Sequence, residues 1–138
     1  MRIAVDFDGT IVEHRYPEIG KEIPFAVATL KQLIREGHLL ILWSVREGEL
    51  LDEAVEWCRA KGIEFYAVNS DYPGEDETLS KKISRKLKVD LFIDDRNVGG
   101  LPDWGVIYEM INSNKTYEQV LREMINAPKP EKKPWWKF

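Results

Sequence analysis

The stretch Arg2-Ile3-Ala4-Val5-Asp6-Phe7-Asp8-Gly9-Thr10 decides how the rest of this chain is read. Ile3 to Val5 is a short apolar run of the kind that forms a buried strand. Two carboxylates follow it at once. Side chains two apart on a strand share a face, so Asp6 and Asp8 are expected to point the same way. Such a pair can divide the work of nucleophile and proton carrier. Gly9 permits a tight departure from the strand.

Working outward, strand-like and helix-like segments alternate. From Pro24 to Glu36 the apolar positions Ala26, Val27, Leu30, Leu33 and Ile34 recur at helical spacing, with Pro24 suited to the first turn and Gly37 to the stop. Leu39 to Trp43 is continuously apolar, as a strand covered on both faces should be. Gly48 to Lys61 predicts a second helix, with Leu51, Ala54, Val55 and Cys58 on one face. Phe65 to Val68 predicts a third strand, and Leu79, Ile83 and Leu87 a third helix. Leu91 to Ile93 predicts a fourth strand and Val106 to Tyr108 a fifth. Thr116 and Gln119 have the spacing of a capping box, opening a last helix with Val120, Leu121, Met124 and Ile125. This order predicts an α/β fold: a three-layer α/β/α sandwich around a parallel, Rossmann-like sheet.

Sheets of this kind place ligands beyond the carboxyl ends of their strands. There the sequence sets Asp6 to Thr10 after the first strand, Ser44-Val45-Arg46 after the second and Asp94-Asp95-Arg96 after the fourth. Asp6, Asp8, Asp94 and Asp95 would then gather at one edge. Unpaired carboxylates so placed repel one another. A hard divalent cation removes that cost, and Mg2+ prefers oxygen ligands.

The bulk numbers bound the alternatives. The chain has 138 residues, enough for one ordinary domain, and its apolar fraction of 43% is that of a globular protein. The formal charge of −4 counts against a general nucleic-acid binder. Cys58 is the only cysteine, so neither an internal disulfide nor a cysteine metal cluster can form, which fits a reducing compartment. No apolar run approaches the length of a membrane span, and no signal-like segment precedes Asp6; the expected location is cytoplasmic. His14 and His38 have no visible partners, and Cys58 reads as core.

From Ala127 the composition turns to proline and lysine, ending in Trp135, Trp136 and Phe138. The expected organisation is a catalytic domain at 1–126 and a tail at 127–138. Apolar residues beyond a stiff proline-rich spacer suit docking on a neighbouring subunit, which predicts a homo-oligomer.

Asp6-Phe7-Asp8-Gly9-Thr10 after an apolar strand resembles the first motif of the haloacid dehalogenase-like phosphatases. Ser44 after Leu40-Ile41-Leu42-Trp43 resembles their second motif. Lys86, followed by Asp90 and the pair Asp94-Asp95, resembles the third and fourth motifs of small capless members. The likeness spans about Arg2 to Gly100. It implies Asp6 as nucleophile and metal ligand, and Asp8 as general acid/base, giving its backbone carbonyl to the metal. It implies that Ser44 and the Val45 N–H hold the phosphoryl group, that Lys86 neutralises charge, and that Asp94 and Asp95 bind magnesium. Gly9, Thr10, Arg46 and Lys86 join Ser44 and Val45 as expected substrate contacts, and Lys82 is the alternative to Lys86. Relatives often carry a cap domain. Here the segments Ile11 to Ile23 and Asn69 to Thr78 are only loop-sized, so no cap domain is expected.

The activity so implied is magnesium-dependent hydrolysis of a phosphate monoester, a phosphorylated small molecule, through an aspartyl-phosphate. The alternatives are a phosphate-binding or scaffolding module with little turnover, a phosphotransferase, and a polynucleotide-end phosphatase.

Overall fold

A computed structural model describes residues 1–75 and 87–126 of the chain. Lys82, Lys86, the helix read on Leu79 and Ile83, and the tail 127–138 lie outside the described residues. Four strands, β1 (Arg2–Val5), β2 (Leu39–Leu42), β3 (Ala67–Val68) and β4 (Leu91–Ile93), form one sheet in the order β3-β2-β1-β4. Every pairing is parallel, with Ile3 opposite both Leu40 and Leu91, and Val5 opposite both Leu42 and Ile93. The helices are α1 (Ala26–Arg35), α2 (Gly48–Ala60), α3 (Trp104–Ser113) and α4 (Tyr117–Asn126).

Strand alternation gives the sheet two apolar faces. Ile3, Val5, Leu40 and Leu42 face one way and pack with Leu30 and Leu33 of α1, Ala54 and Cys58 of α2, and Trp104, Ile107 and Ile111 of α3. Ala4, Ile41 and Ala67 face the other way and pack with Leu87. The architecture is therefore α/β on a parallel sheet, as expected, and no cap domain interrupts the described residues. Thr116 and Gln119 do form a reciprocal capping box at the start of α4, with N–H to side-chain oxygen distances of 2.9 and 3.2 Å. None of the described helices is long and apolar enough to cross a membrane.

The fifth strand expected at Val106 to Tyr108 is not formed; these residues lie inside α3. The local run of β-favouring residues misleads here. The wider spacing Trp104, Ile107, Ile111 places the three buried side chains on one helical stripe against α1 and the sheet. Among the described residues β4 is consequently an edge strand. An apolar cleft of about 280 Å³ runs beside it, walled by Leu91, Ile93, Leu101, Ile107 and Ile111 and reaching Asp94.

Candidate active site

β1 ends at Val5, and the chain begins to turn at once. The Asp6 N–H still donates to the Ile93 carbonyl at 3.0 Å, holding the first carboxylate beside the end of β4. The Phe7 carbonyl then accepts from the N–H groups of Thr10, Ile11 and Val12, closing a tight loop. Phe7 is buried, its ring edge-to-face with Trp57 of α2 at 5.8 Å. Trp104, the first residue of α3, donates from its indole to the Thr10 carbonyl at 3.0 Å and pins the loop from outside the sheet. Sequence reasoning missed that contact. Its only signal is a buried tryptophan whose N–H needs an acceptor.

Because Asp6 and Asp8 sit past the strand, the alternation argument does not govern them, and they take different partners. Asp6 faces Asp94 and Asp95: the three residues each offer a carboxylate oxygen within 4.8 Å of the others. Burial first, then a hydrogen bond with Asp95 and the charge of Asp94, pushes the Asp6 carboxyl up to about 7. The Thr10 hydroxyl lies between the two loops, 3.2 Å from Asp6 Oδ2 and 3.4 Å from Asp95 Oδ1, and accepts the Asp95 N–H at 3.1 Å. Thr10 is fully buried. It is better described as a brace between carboxylates than as the substrate contact expected of it. Gly9 has a φ of +82°, and a Cβ there would stand 2.2 Å from Asp95 Oδ2. Only glycine lets Asp95 come this close to the first loop. Asp94 accepts the Arg96 N–H at 3.1 Å, and Asn97 donates to the Asp94 carbonyl at 2.8 Å, a compact turn that fixes the second loop.

Asp8 is absent from that cluster. Its carboxylate is gripped by Arg46, Nε to Oδ2 at 2.7 Å and Nη2 to Oδ1 at 2.8 Å. The expectation that Arg46 meets substrate is corrected: the side chain is fully buried and its donors are committed within the protein. Ser44 is half-buried, and its Oγ accepts the Arg46 N–H at 3.1 Å. The Ser44 N–H donates to Asn69 Oδ1 at 2.8 Å, and Asn69, at φ 51°, stands directly after β3. Asn69 is a second residue the sequence reading missed; an asparagine directly after a strand was its signal. Val45 is 84% exposed.

His14 is exposed. His38 lies just before β2, at the amino end of the strands, bonded to the chain's N-terminal ammonium at 3.0 Å. Cys58 is buried, and burial pushes its thiol up to about 12, so it is core as expected.

A donor set made only of carboxylate oxygens, held close enough to raise the protonation of one member, fits a hard divalent cation. Asp6, Asp94 and Asp95 would hold it.

The fold is haloacid dehalogenase-like. The D,D-heptose 1.7-bisphosphate phosphatase of B. bronchiseptica, solved in complex with magnesium and phosphate, superposes with a TM-score of 0.51 at 13% identity, the match covering 82% of this chain and 98% of that one. A conserved protein of Bacteroides thetaiotaomicron is far nearer: 72% identity and a TM-score of 0.80 over 87% of this chain and 96% of that one. The chain belongs to the same family as that protein. No family model matches the sequence, and no curated protein matches it.

Proposed function

We propose that the protein is a capless, magnesium-dependent phosphohydrolase of the haloacid dehalogenase-like type, acting on a phosphorylated small molecule. The observation that carries the reading is the set Asp6, Asp94 and Asp95 at the carboxyl edge of a parallel sheet, braced by Thr10. The fold neighbour was crystallised with magnesium and phosphate, the pair of ligands this chemistry uses.

In this reading an Asp6 carboxylate oxygen attacks phosphorus in line. The P–O bond to the leaving alcohol breaks and an aspartyl-phosphate forms on Asp6; Asp8, its charge balanced by Arg46 in the resting protein, takes a proton from solvent and passes it to the leaving oxygen. Asp8, again a carboxylate, then takes a proton from water. The water oxygen then attacks the same phosphorus, Asp6 is released, and phosphate leaves. The Ser44 hydroxyl and Val45 N–H bind the phosphoryl oxygens, and Lys86 neutralises their charge. A bound magnesium ion supplies further charge neutralisation, the main demand of phosphoryl transfer.

A panel of phosphate monoesters, assayed with magnesium and with chelator, tests the proposal. Turnover is expected with magnesium alone. Asp6→Asn, nearly isosteric but a poor nucleophile, should abolish it while the protein still unfolds in one cooperative transition. A fully active Asn variant would rule out the covalent route. No turnover of any ester, with phosphate still bound, would leave the protein a phosphate-binding module.

A further inference from the structure

The grip on Asp8 is one part of a larger arrangement around Arg46. Its guanidinium has five N–H donors in a fixed plane. Nε and one Nη2 proton go to the two oxygens of Asp8. Nη2 also donates to the Glu18 carbonyl at 3.0 Å, and Nη1 to the Pro17 carbonyl at 3.1 Å and the Leu50 carbonyl at 3.4 Å. Phe7 lies 5.3 Å away and Tyr16 5.2 Å away, ring centroid to guanidinium carbon. Each guanidinium nitrogen therefore has an acceptor, two aromatic rings lie within cation–π range, and no part of the residue meets solvent.

A group so enclosed cannot recognise a substrate. It can transmit an orientation. A guanidinium held by three carbonyls has one plane, and a bidentate carboxylate must share it. Asp8 needs such support, because it stands on a loop and not in a strand. It must also present the same oxygen to the leaving group and then to water.

We infer that Arg46 is the positioning residue of Asp8: its fork fixes the carboxylate and ties it to the Tyr16–Glu18 segment and to the first turn of α2. The inference rests on the phosphohydrolase reading for the role of Asp8. The arrangement itself stands apart from that reading. Lysine would keep the charge at position 46 but could not reproduce the fork.

The test is a kinetic cycle on p-nitrophenyl phosphate or the best ester found. Arg46→Lys should lower kcat by about 10²-fold, the order expected for a misplaced catalytic group, and leave KM within about threefold. In the Asp8→Asn background the same change should cost nothing further, since its effect passes through Asp8. Equal loss in both backgrounds, or an Arg46→Lys enzyme of normal kcat, overturns the inference. Tyr16→Ala guards against a misfolded lysine variant. It removes a half-exposed ring from one side of the guanidinium, leaves the ion pair, and should lower kcat less but in the same manner. A readout free of turnover separates this inference from the parent reading. The Arg46 Nε–H should give a slowly exchanging nitrogen-15 NMR signal that moves and exchanges quickly in Asp8→Asn. An inactive protein that keeps this signal loses the phosphatase reading but not the pairing, and a protein without it loses the pairing.

Discussion

Asp6 and Asp8 are separated by one residue and live in opposite electrostatic surroundings. Asp6 sits among like charges and is buried enough that its proton is held up to about 7. Asp8 has its charge balanced by a guanidinium before any ligand arrives. Two acids on one short loop thus divide into one that calls for a cation and one that has already met its own. The difference is made by partners from distant sequence: Asp94 and Asp95 on one side, Arg46 on the other. Local sequence makes the two acids look alike, and tertiary placement sets them apart.

The largest effect is expected at Gly9. Gly9→Ala puts a methyl group 2.2 Å from Asp95 Oδ2 at a φ of +82°. Asp95 must move away from Asp6, so activity should fall by about 10²-fold or more while the Asp8–Arg46 pair remains. Kinetics together with the Arg46 NMR signal would read both halves. Normal activity in this variant would mean that the close approach of the two loops is not needed.

Thr10→Val acts on the Asp6 half alone and should be milder. It strips the hydroxyl from between Asp6 and Asp95 and orphans the Asp95 N–H, a loss of about 1–3 kcal/mol for a buried donor left unpaired. Urea unfolding measures it; a change near zero would show that the brace carries no weight.

The smallest effect is the most selective. Asp6 titrates near 7 when folded against an ordinary value of 3.8, so between these values the native state holds more protons than the unfolded one. Stability of the metal-free protein should therefore fall as pH rises through that window. Magnesium displaces the proton and relieves the repulsion, so its gain in Tm should be larger by a few degrees at about pH 8 than at about pH 5.5. Asp6→Asn should erase that dependence and Asp8→Asn should not. Equal gains at both pH values would contradict the electrostatic account of the cluster.

Much of the scaffold was legible because it is encoded locally. The apolar run before Asp6, the run Leu39–Leu42 before Ser44, and Leu91–Ile93 before Asp94 each announce a strand and the residues at its carboxyl end. Parallel pairing of β4 with β1 then brings Asp94 and Asp95 to Asp6. What failed was geometry beyond a strand's end. Alternation predicts a shared face for Asp6 and Asp8, but β1 stops at Val5 and the Phe7 loop redirects the chain. The same kind of limit hid the Arg46–Asp8 pair, whose members lie 38 residues apart, and the Trp104–Thr10 bond, which spans 94. At Val106 to Tyr108 local β propensity spoke against a helical stripe, and the stripe prevailed because it buries Trp104, Ile107 and Ile111 together.

The fork between Arg46 and Asp8 also limits how this sequence can drift. Losing either partner alone strands a buried charge, at a cost of about 3–5 kcal/mol, a large part of the stability of a small domain. The aromatic ring of Tyr16 and the carbonyls of Pro17, Glu18 and Leu50 are fitted to the same guanidinium, so a compensating change would have to suit them as well. Positions 8 and 46 are therefore expected to change only together, since replacing one strands the charge of the other and a joint replacement must still suit the loop between Tyr16 and Glu18.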